Sequence, residues 1–246
     1  MKINQEKCVT CGNCIPYCPV SAIKRENGSV VVSMKECVEC NICWRADVCP
    51  TDALIPDDLS DKYRAFRNTF SDPLKTHKAT NVLGRGTEEM KTNDVTGTFK
   101  PGFAGLGVEL GRPGTGTYFY DVEKVAMACA EFDAAFAAQN PVTTVMEDTN
   151  TGKIKDEYLN ERTLSAIVEF TLPLEQVADL LERLKEVSKE VETVFSVDLI
   201  SKVDENGELP SLKEAHKAGL TAYKNGKINI GLGRPRFDFD NIKEEF

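Results

Sequence analysis

Eight of the nine cysteines fall within the first 49 residues, in two copies of one pattern. The first reads Cys8-Val-Thr-Cys11-Gly-Asn-Cys14-Ile-Pro-Tyr-Cys18-Pro19. The second reads Cys37-Val-Glu-Cys40-Asn-Ile-Cys43-Trp-Arg-Ala-Asp-Val-Cys49-Pro50. Three thiols at i, i+3 and i+6 let a loop wrap around one inorganic centre, and a fourth Cys followed by Pro completes the ligand set. A disulfide framework would suit a secreted chain, and no secretory leader is expected ahead of Cys8. Zinc ribbons use paired Cys-x-x-Cys knuckles, not triplets closed by Cys-Pro. The pattern points to [4Fe-4S] cubanes and therefore to one-electron chemistry.

Over about residues 1–56 the sequence resembles the bacterial two-[4Fe-4S] ferredoxins. The resemblance implies two [4Fe-4S] clusters with crossed ligation: Cys8, Cys11, Cys14 and Cys49 on one, Cys37, Cys40, Cys43 and Cys18 on the other. It also implies a pseudo-twofold fold with the clusters near each other. The halves repeat beyond their cysteines, since Pro-Val-Ser-Ala-Ile after Cys18 matches Pro-Thr-Asp-Ala-Leu after Cys49. Between them Asn27-Gly28 is a two-residue hairpin signal within Ile23–Val32. The second copy departs from the first by two extra residues before its closing Cys. That insertion, with Trp44 and Arg45, is expected to bulge beside the cluster that Cys49 ligates and to make the two clusters unequal. Tyr17 and Trp44 are expected to shield clusters from water.

The 246 residues leave room for a second domain. Three segments are expected: an iron-sulfur domain over 1–56, a polar connector over 57–102, and an α+β domain over 103–246. No apolar run approaches the ~18–20 residues of a membrane span. The net charge of −9 argues against a nucleic-acid surface. A reducing, anaerobic, cytoplasmic setting is expected, because exposed clusters are oxygen-labile. The connector is the basic part, with eight Lys/Arg against five Asp/Glu over residues 59–102. Ser60 is the expected cap of a short helix there, with Tyr63, Phe66 and Phe70 on one face and Asp72-Pro73 ending it.

From Phe103 the hydrophobic pattern is regular. Ala104, Leu106, Val108 and Leu110 alternate as a first strand. Asp121 is the expected cap of a helix bearing Val122, Val125, Cys129, Phe132 and Phe136. Val142–Glu147 reads as a second strand and Leu164–Phe170 as a third. A helical stripe follows over Leu174–Val191, and Phe195–Leu199 alternates as a fourth strand. This order predicts a ferredoxin-like βαββαβ sandwich, extended by a helix over about Ser211–Tyr223 and a strand over about Lys227–Leu232.

A Leu-Gly-Arg motif occurs at Arg85, Arg112 and Arg234. Converging loops would make an anion site of these arginines, helped by the amides of Gly114–Thr117; separate turns would leave them solvated. Cys129, on an apolar helix face, reads as a buried structural thiol. His77 is a candidate proton donor, His216 a solvated side chain, and Glu88-Glu89 a solvated pair. The leading expectation is low-potential electron transfer as a subunit of an anaerobic oxidoreductase. The second domain would then dock a redox partner protein or form a homo-oligomer. The alternatives are a catalytic reductase component that takes an anionic substrate at the Gly/Arg loops, and a domain that gates electron flow on sensing a small molecule.

Overall fold

The computed structural model describes residues 1–78, 81, 99–112 and 114–223. Its N-terminal part opens with β1 (Lys2–Ile3), then the hairpin β2 (Ile23–Glu26) and β3 (Ser29–Val32), a short helix α1 (Ile42–Arg45) and β4 (Leu54–Ile55). β1 pairs antiparallel with β4, and β2 with β3. The hairpin turn is the expected Asn27-Gly28, both at positive φ (49° and 81°), which is what a two-residue turn of matching twist requires. Helix α2 (Lys62–Ser71) follows. Its cap is Asp61, whose carboxylate accepts from the amides of Tyr63 and Arg64, and not Ser60. It ends at Asp72, as Pro73 dictates.

The rest is a mixed α and β structure around one sheet. Its elements begin with β5 (Phe103–Leu110), β6 (Thr117–Tyr118), α3 (Phe119–Ala130) and β7 (Ala135–Phe136). The hairpin β8 (Met146–Asp148) and β9 (Lys153–Ile154) follows, then β10 (Arg162–Thr163), β11 (Ala166–Pro173), α4 (Val177–Val187), β12 (Phe195–Ile200) and α5 (Pro210–Lys217). The four-stranded sheet runs β12-β5-β11-β7, antiparallel throughout. Register is set by Leu106 opposite Phe170 on one side and Leu199 on the other. Ala104, Leu106, Val108 and Leu110 are all at 0 % exposure. They share a core with Val122, Val125 and Cys129 of α3 and Leu180, Leu181 and Leu184 of α4. The period-2 row of β5 therefore meets the helical stripes, and each buried Leu or Phe contributes ~1.5–3 kcal/mol.

Several expectations are corrected. The strand expected over Val142–Glu147 is a 3-10 turn over Thr143–Val145 running into β8, which pairs with β9 outside the main sheet. The sheet's fourth strand is the two-residue β7, paired to Phe170 and Thr171. Phe136, expected on the helix, lies in that strand. α3 begins two residues before Asp121, with Tyr118 as its N-cap. α5 ends at Lys217, short of Tyr223. The strand expected over 227–232 lies outside the described residues.

The two hydrophobic cores interlock. Leu164 belongs to the cysteine-rich core, while Phe66 and Phe70 of α2 belong to the sheet's core. Phe66 stacks on Tyr158 at 4.3 Å, and Phe70 meets Phe119 edge-on at 5.1 Å. Each aromatic pair adds ~0.5–1.5 kcal/mol beyond burial.

Candidate iron-sulfur site

The two cysteine loops are built alike at matched positions around each triplet. Thr10 and Glu39, each just before the second Cys of its triplet, have φ of 53° and 55°. Gly12 and Asn41, just after it, have φ of 82° and 56°. Ser21 and Asp52, three residues beyond each closing Cys, have φ of 55° and 50°. Left-handed residues at matched positions fold each triplet inward. They are costly for non-glycine side chains and persist only where the surroundings demand them.

The hydrogen bonds repeat too. The amides of Cys8 and Cys37 donate to Asn4 O and Ser33 O at 3.0 and 2.9 Å. Asn4 N then donates to Ala53 O, and Ser33 N to Ala22 O, both at 2.8 Å, so each half is tied to the closing segment of the other. The amide of Ala22 donates to Cys18 Sγ at 3.1 Å, and that of Ala53 to Cys49 Sγ at 3.2 Å. Such bonds stabilise a sulfur carrying negative charge.

Cys49 neighbours the first triplet, and Cys18 neighbours the second. One cavity is lined by Cys8, Cys11, Cys14 and Cys49. Burial, with added repulsion from Cys49, Cys11 and Cys8, raises the Cys14 thiol above its usual pKa. In the second triplet burial pushes Cys40 up to about 11, with Cys37 and Cys18 as its repelling neighbours. Cys43 is pushed up to about 12 by burial, then by Cys40, Cys18 and Cys37. Burial opposes ionisation of Cys49 as well, but the amides of Ala53 and Thr51 outweigh it and hold this thiol below its usual value. Among the described residues, no three His, Cys, Asp or Glu side chains are placed to hold a single metal ion. A lone zinc needs all its ligands ~2.0–2.3 Å from one point. A cubane spreads its four ligands over four irons, and that is the donor set these loops present.

Residues 1–24 match the family model described as "4Fe-4S binding domain". The N-terminal segment is a 4Fe-4S binding domain of the ferredoxin type. It is similar to Ferredoxin-1 of Rhodobacter capsulatus, 45% identical over 40 residues, which are 16% of this chain and 62% of that one. It is 40% identical over 53 residues to pyruvate synthase subunit PorD of Methanocaldococcus jannaschii, covering 21% of this chain and 59% of that one. A tetrathionate reductase subunit of Salmonella typhimurium is 51% identical over 49 residues, 19% of each chain. The chain spans from 12% to 62% of the length of the curated relatives it matches first. The remainder has no family match, and no solved structure matches the chain.

The two sites differ in their surroundings. In the 4Fe-4S domain Cys11 is exposed and Cys8 half-buried, whereas Cys37, Cys40 and Cys43 are all buried. The cover over the second triplet is α2. Its residues Arg64, Arg67, Asn68 and Ser71, at i, i+3, i+4 and i+7, form a buried polar face. Arg64 Nη1 donates to Met34 O at 2.8 Å. Arg67 Nη1 donates to Met34 O, Lys35 O and Cys37 O at 3.1, 2.8 and 3.1 Å, and its Nε to Glu161. Asn68 Nδ2 donates to Glu39 O at 2.9 Å. Glu39, 1 % exposed, is ion-paired with Arg64 and with the Met1 α-ammonium. This network had no counterpart among the sequence expectations. The i, i+3, i+4, i+7 polar row opposite Phe66 and Phe70 was the signal that could have shown it.

Arg45 reaches the second triplet: its side chain donates to Cys40 O and pairs with Asp72 at 2.9 Å. Trp44 is 49 % exposed and Tyr17 45 %.

Of the three Leu-Gly-Arg arginines, Arg85 and Arg234 lie outside the described residues, as do Glu88 and Glu89. Arg112 pairs with Glu109 at 2.8 Å. The amides of Thr115 and Gly116 both donate to Gly111 O at 3.1 Å, so they serve the loop itself. The loop's glycines allow close approach: a Cβ on Gly116 would sit 3.0 Å from Thr163 O and from Val20, which follows Cys18-Pro19. His77 is buried against Phe70, and burial lowers its pKa. No described helix is long and apolar enough to cross a membrane.

Proposed function

We propose that the chain carries electrons at low potential through two [4Fe-4S] clusters as a subunit of an oxidoreductase. Cys8, Cys11, Cys14 and Cys49 hold one cluster, and Cys37, Cys40, Cys43 and Cys18 hold the other. The observation that supports this reading is the cavity lined by Cys8, Cys11, Cys14 and Cys49, with Cys18 a repelling neighbour of Cys40 and Cys43. Each bound cluster takes up and gives back one electron, at a potential on the order of −400 mV. The chain's own part is to aim thiolates and N–H groups at the sulfur, and to keep water from the second site. Similarity to one subunit of a tetrathionate reductase and one of a pyruvate synthase supports a place in a multi-subunit enzyme.

We read the chain as three parts, 1–56, 57–102 and 103–246. For the third, strand order β12-β5-β11-β7 with a helix after β5 and another after β11 supports a ferredoxin-like βαββαβ sandwich. Its role is to dock the electron carrier on a redox partner or on a second copy. The test is anaerobic reconstitution with iron and sulfide analysis and electron paramagnetic resonance. Two clusters per chain are expected, and Cys49→Ser should cost the cluster that Cys11→Ser costs. Loss of the cluster that Cys40→Ser costs would overturn the crossed assignment. Anaerobic native purification with mass spectrometry then tests the subunit role: a stoichiometric flavin- or molybdenum-bearing partner is expected, and isolation without a partner enzyme counts against it.

A further inference from the structure

We infer that Arg45, Arg64 and Arg67 are the counter-charge of the cluster held by the second triplet, and that through α2 the C-terminal half of the chain sets that cluster's reduction potential. The inference rests on the crossed ligand reading. Reduction adds one negative charge to a site, so whatever stabilises negative charge there raises its potential.

All three guanidinium groups grip the second loop. Arg67 binds three of its carbonyls, Arg64 one, and Arg45 the carbonyl of Cys40. Arg64 and Arg67 are about nine-tenths buried. Among the described residues the first triplet has a single comparable contact, Arg25 to Cys11 O at 2.9 Å, made by an exposed side chain. Water screens an exposed charge far more than a buried one. The electrostatic support is therefore one-sided.

Carboxylates oppose it, and their placement decides what each change does. Glu161 pairs with Arg67 and Asp72 with Arg45, on groups that also reach the loop. Glu39 lies 3.7 Å from Cys37 Sγ and is ion-paired with Arg64 and with the Met1 α-ammonium. Removing the Arg64 charge thus leaves Glu39 less compensated beside a ligand sulfur. Removing the Glu39 charge leaves Arg64 acting on the cluster without its partner. The two changes have opposite signs at one cluster. The far end of the network is anchored in the second half of the chain, where Glu161 holds Arg67 and Ser71 bonds Thr163 and Leu164. The sheet domain is thereby coupled to the second site.

The test is a redox titration of the anaerobically reconstituted full chain, followed by electron paramagnetic resonance, with Cys11→Ser identifying the exposed cluster. Arg64→Gln should make reduction of the second cluster about tenfold less favourable, a shift of ~59 mV for one electron. Glu39→Gln should shift the same cluster upward, and Arg64→Lys should retain most of the wild-type value. The exposed cluster should not move in any of the three. Equal shifts of both clusters, no shift, or a shift confined to the cluster lost in Cys11→Ser overturns the inference. Should Arg64→Gln fail to hold iron, Glu39→Gln decides alone: without an upward shift at the second cluster the inference falls. Iron content and the Cys49→Ser phenotype report separately on the crossed reading, so its failure is distinguishable.

Discussion

Ser71 and Thr163 meet hydroxyl to hydroxyl at 3.1 Å, 92 positions apart, and both side chains are shut off from water. Ser71 Oγ also accepts the amide of Leu164 at 3.0 Å. This contact joins the helix that covers the second cysteine triplet to the edge of the sheet domain. Ser71→Ala should cost ~1–3 kcal/mol, because it leaves the buried Leu164 amide without its acceptor. Anaerobic denaturation of the iron-loaded protein would show it, and an unchanged midpoint would mean the seam carries no stability.

Gly152 makes a second prediction about packing. At φ of 72° a Cβ there would lie 2.5 Å from the backbone of Ala126 in α3. Left-handed strain costs an alanine ~1–2 kcal/mol, and the overlap with backbone adds to it. Gly152→Ala should therefore lower stability by ~2 kcal/mol or more. Gly28→Ala, also at positive φ but with open space around it, is the control and should lose less.

Cys129 is expected to be inert. It is at 0 % exposure in the sheet's core, and burial raises its pKa far above the ordinary thiol value. Brief iodoacetamide treatment of the native, iron-loaded chain at neutral pH should leave this residue unlabelled by mass spectrometry. Labelling at the rate of an unfolded control would place it outside the core.

Asp72 gives a pH dependence. Burial raises its pKa, but hydrogen bonds from the Leu74 amide, Arg45 and Asn41 outweigh this and hold it below the usual carboxylate value. A depressed folded-state pKa contributes stability above the unfolded value of ~3.9, and that contribution is lost as pH falls through the folded value. The stability gap between wild type and Asp72→Asn should therefore be open at pH 6 and close below about pH 4. A gap that widens in acid would contradict the assignment.

Much of the cysteine-rich part was legible because its signal is local. Triplet spacing, Cys-Pro closures and Asn27-Gly28 lie within a few residues of their consequences, and β5, β11 and β12 announced themselves by alternation over six to eight residues. β7 did not: two residues cannot display a period, and only its pairing with Phe170 and Thr171 makes it a strand. Val142–Val145 carries β-branched residues suited to a strand, yet tertiary packing turns them into a 3-10 helix and leaves the sheet edge to Ala135–Phe136.

The sequence by itself determined the ligand-bearing loops and the helix and strand periods, since these depend on side-chain chemistry and on contacts near in the chain. The tertiary structure alone decided where α2 lies and which carbonyls its arginines reach. Its polar face is read as solvated when the helix stands alone. It becomes a buried clamp on Met34, Lys35 and Cys37 only because Phe66 and Phe70 on the other face are pulled into the sheet's core. Burial, and the ion pairs that compensate it, are properties of two surfaces meeting, and neither surface contains the other in its own sequence.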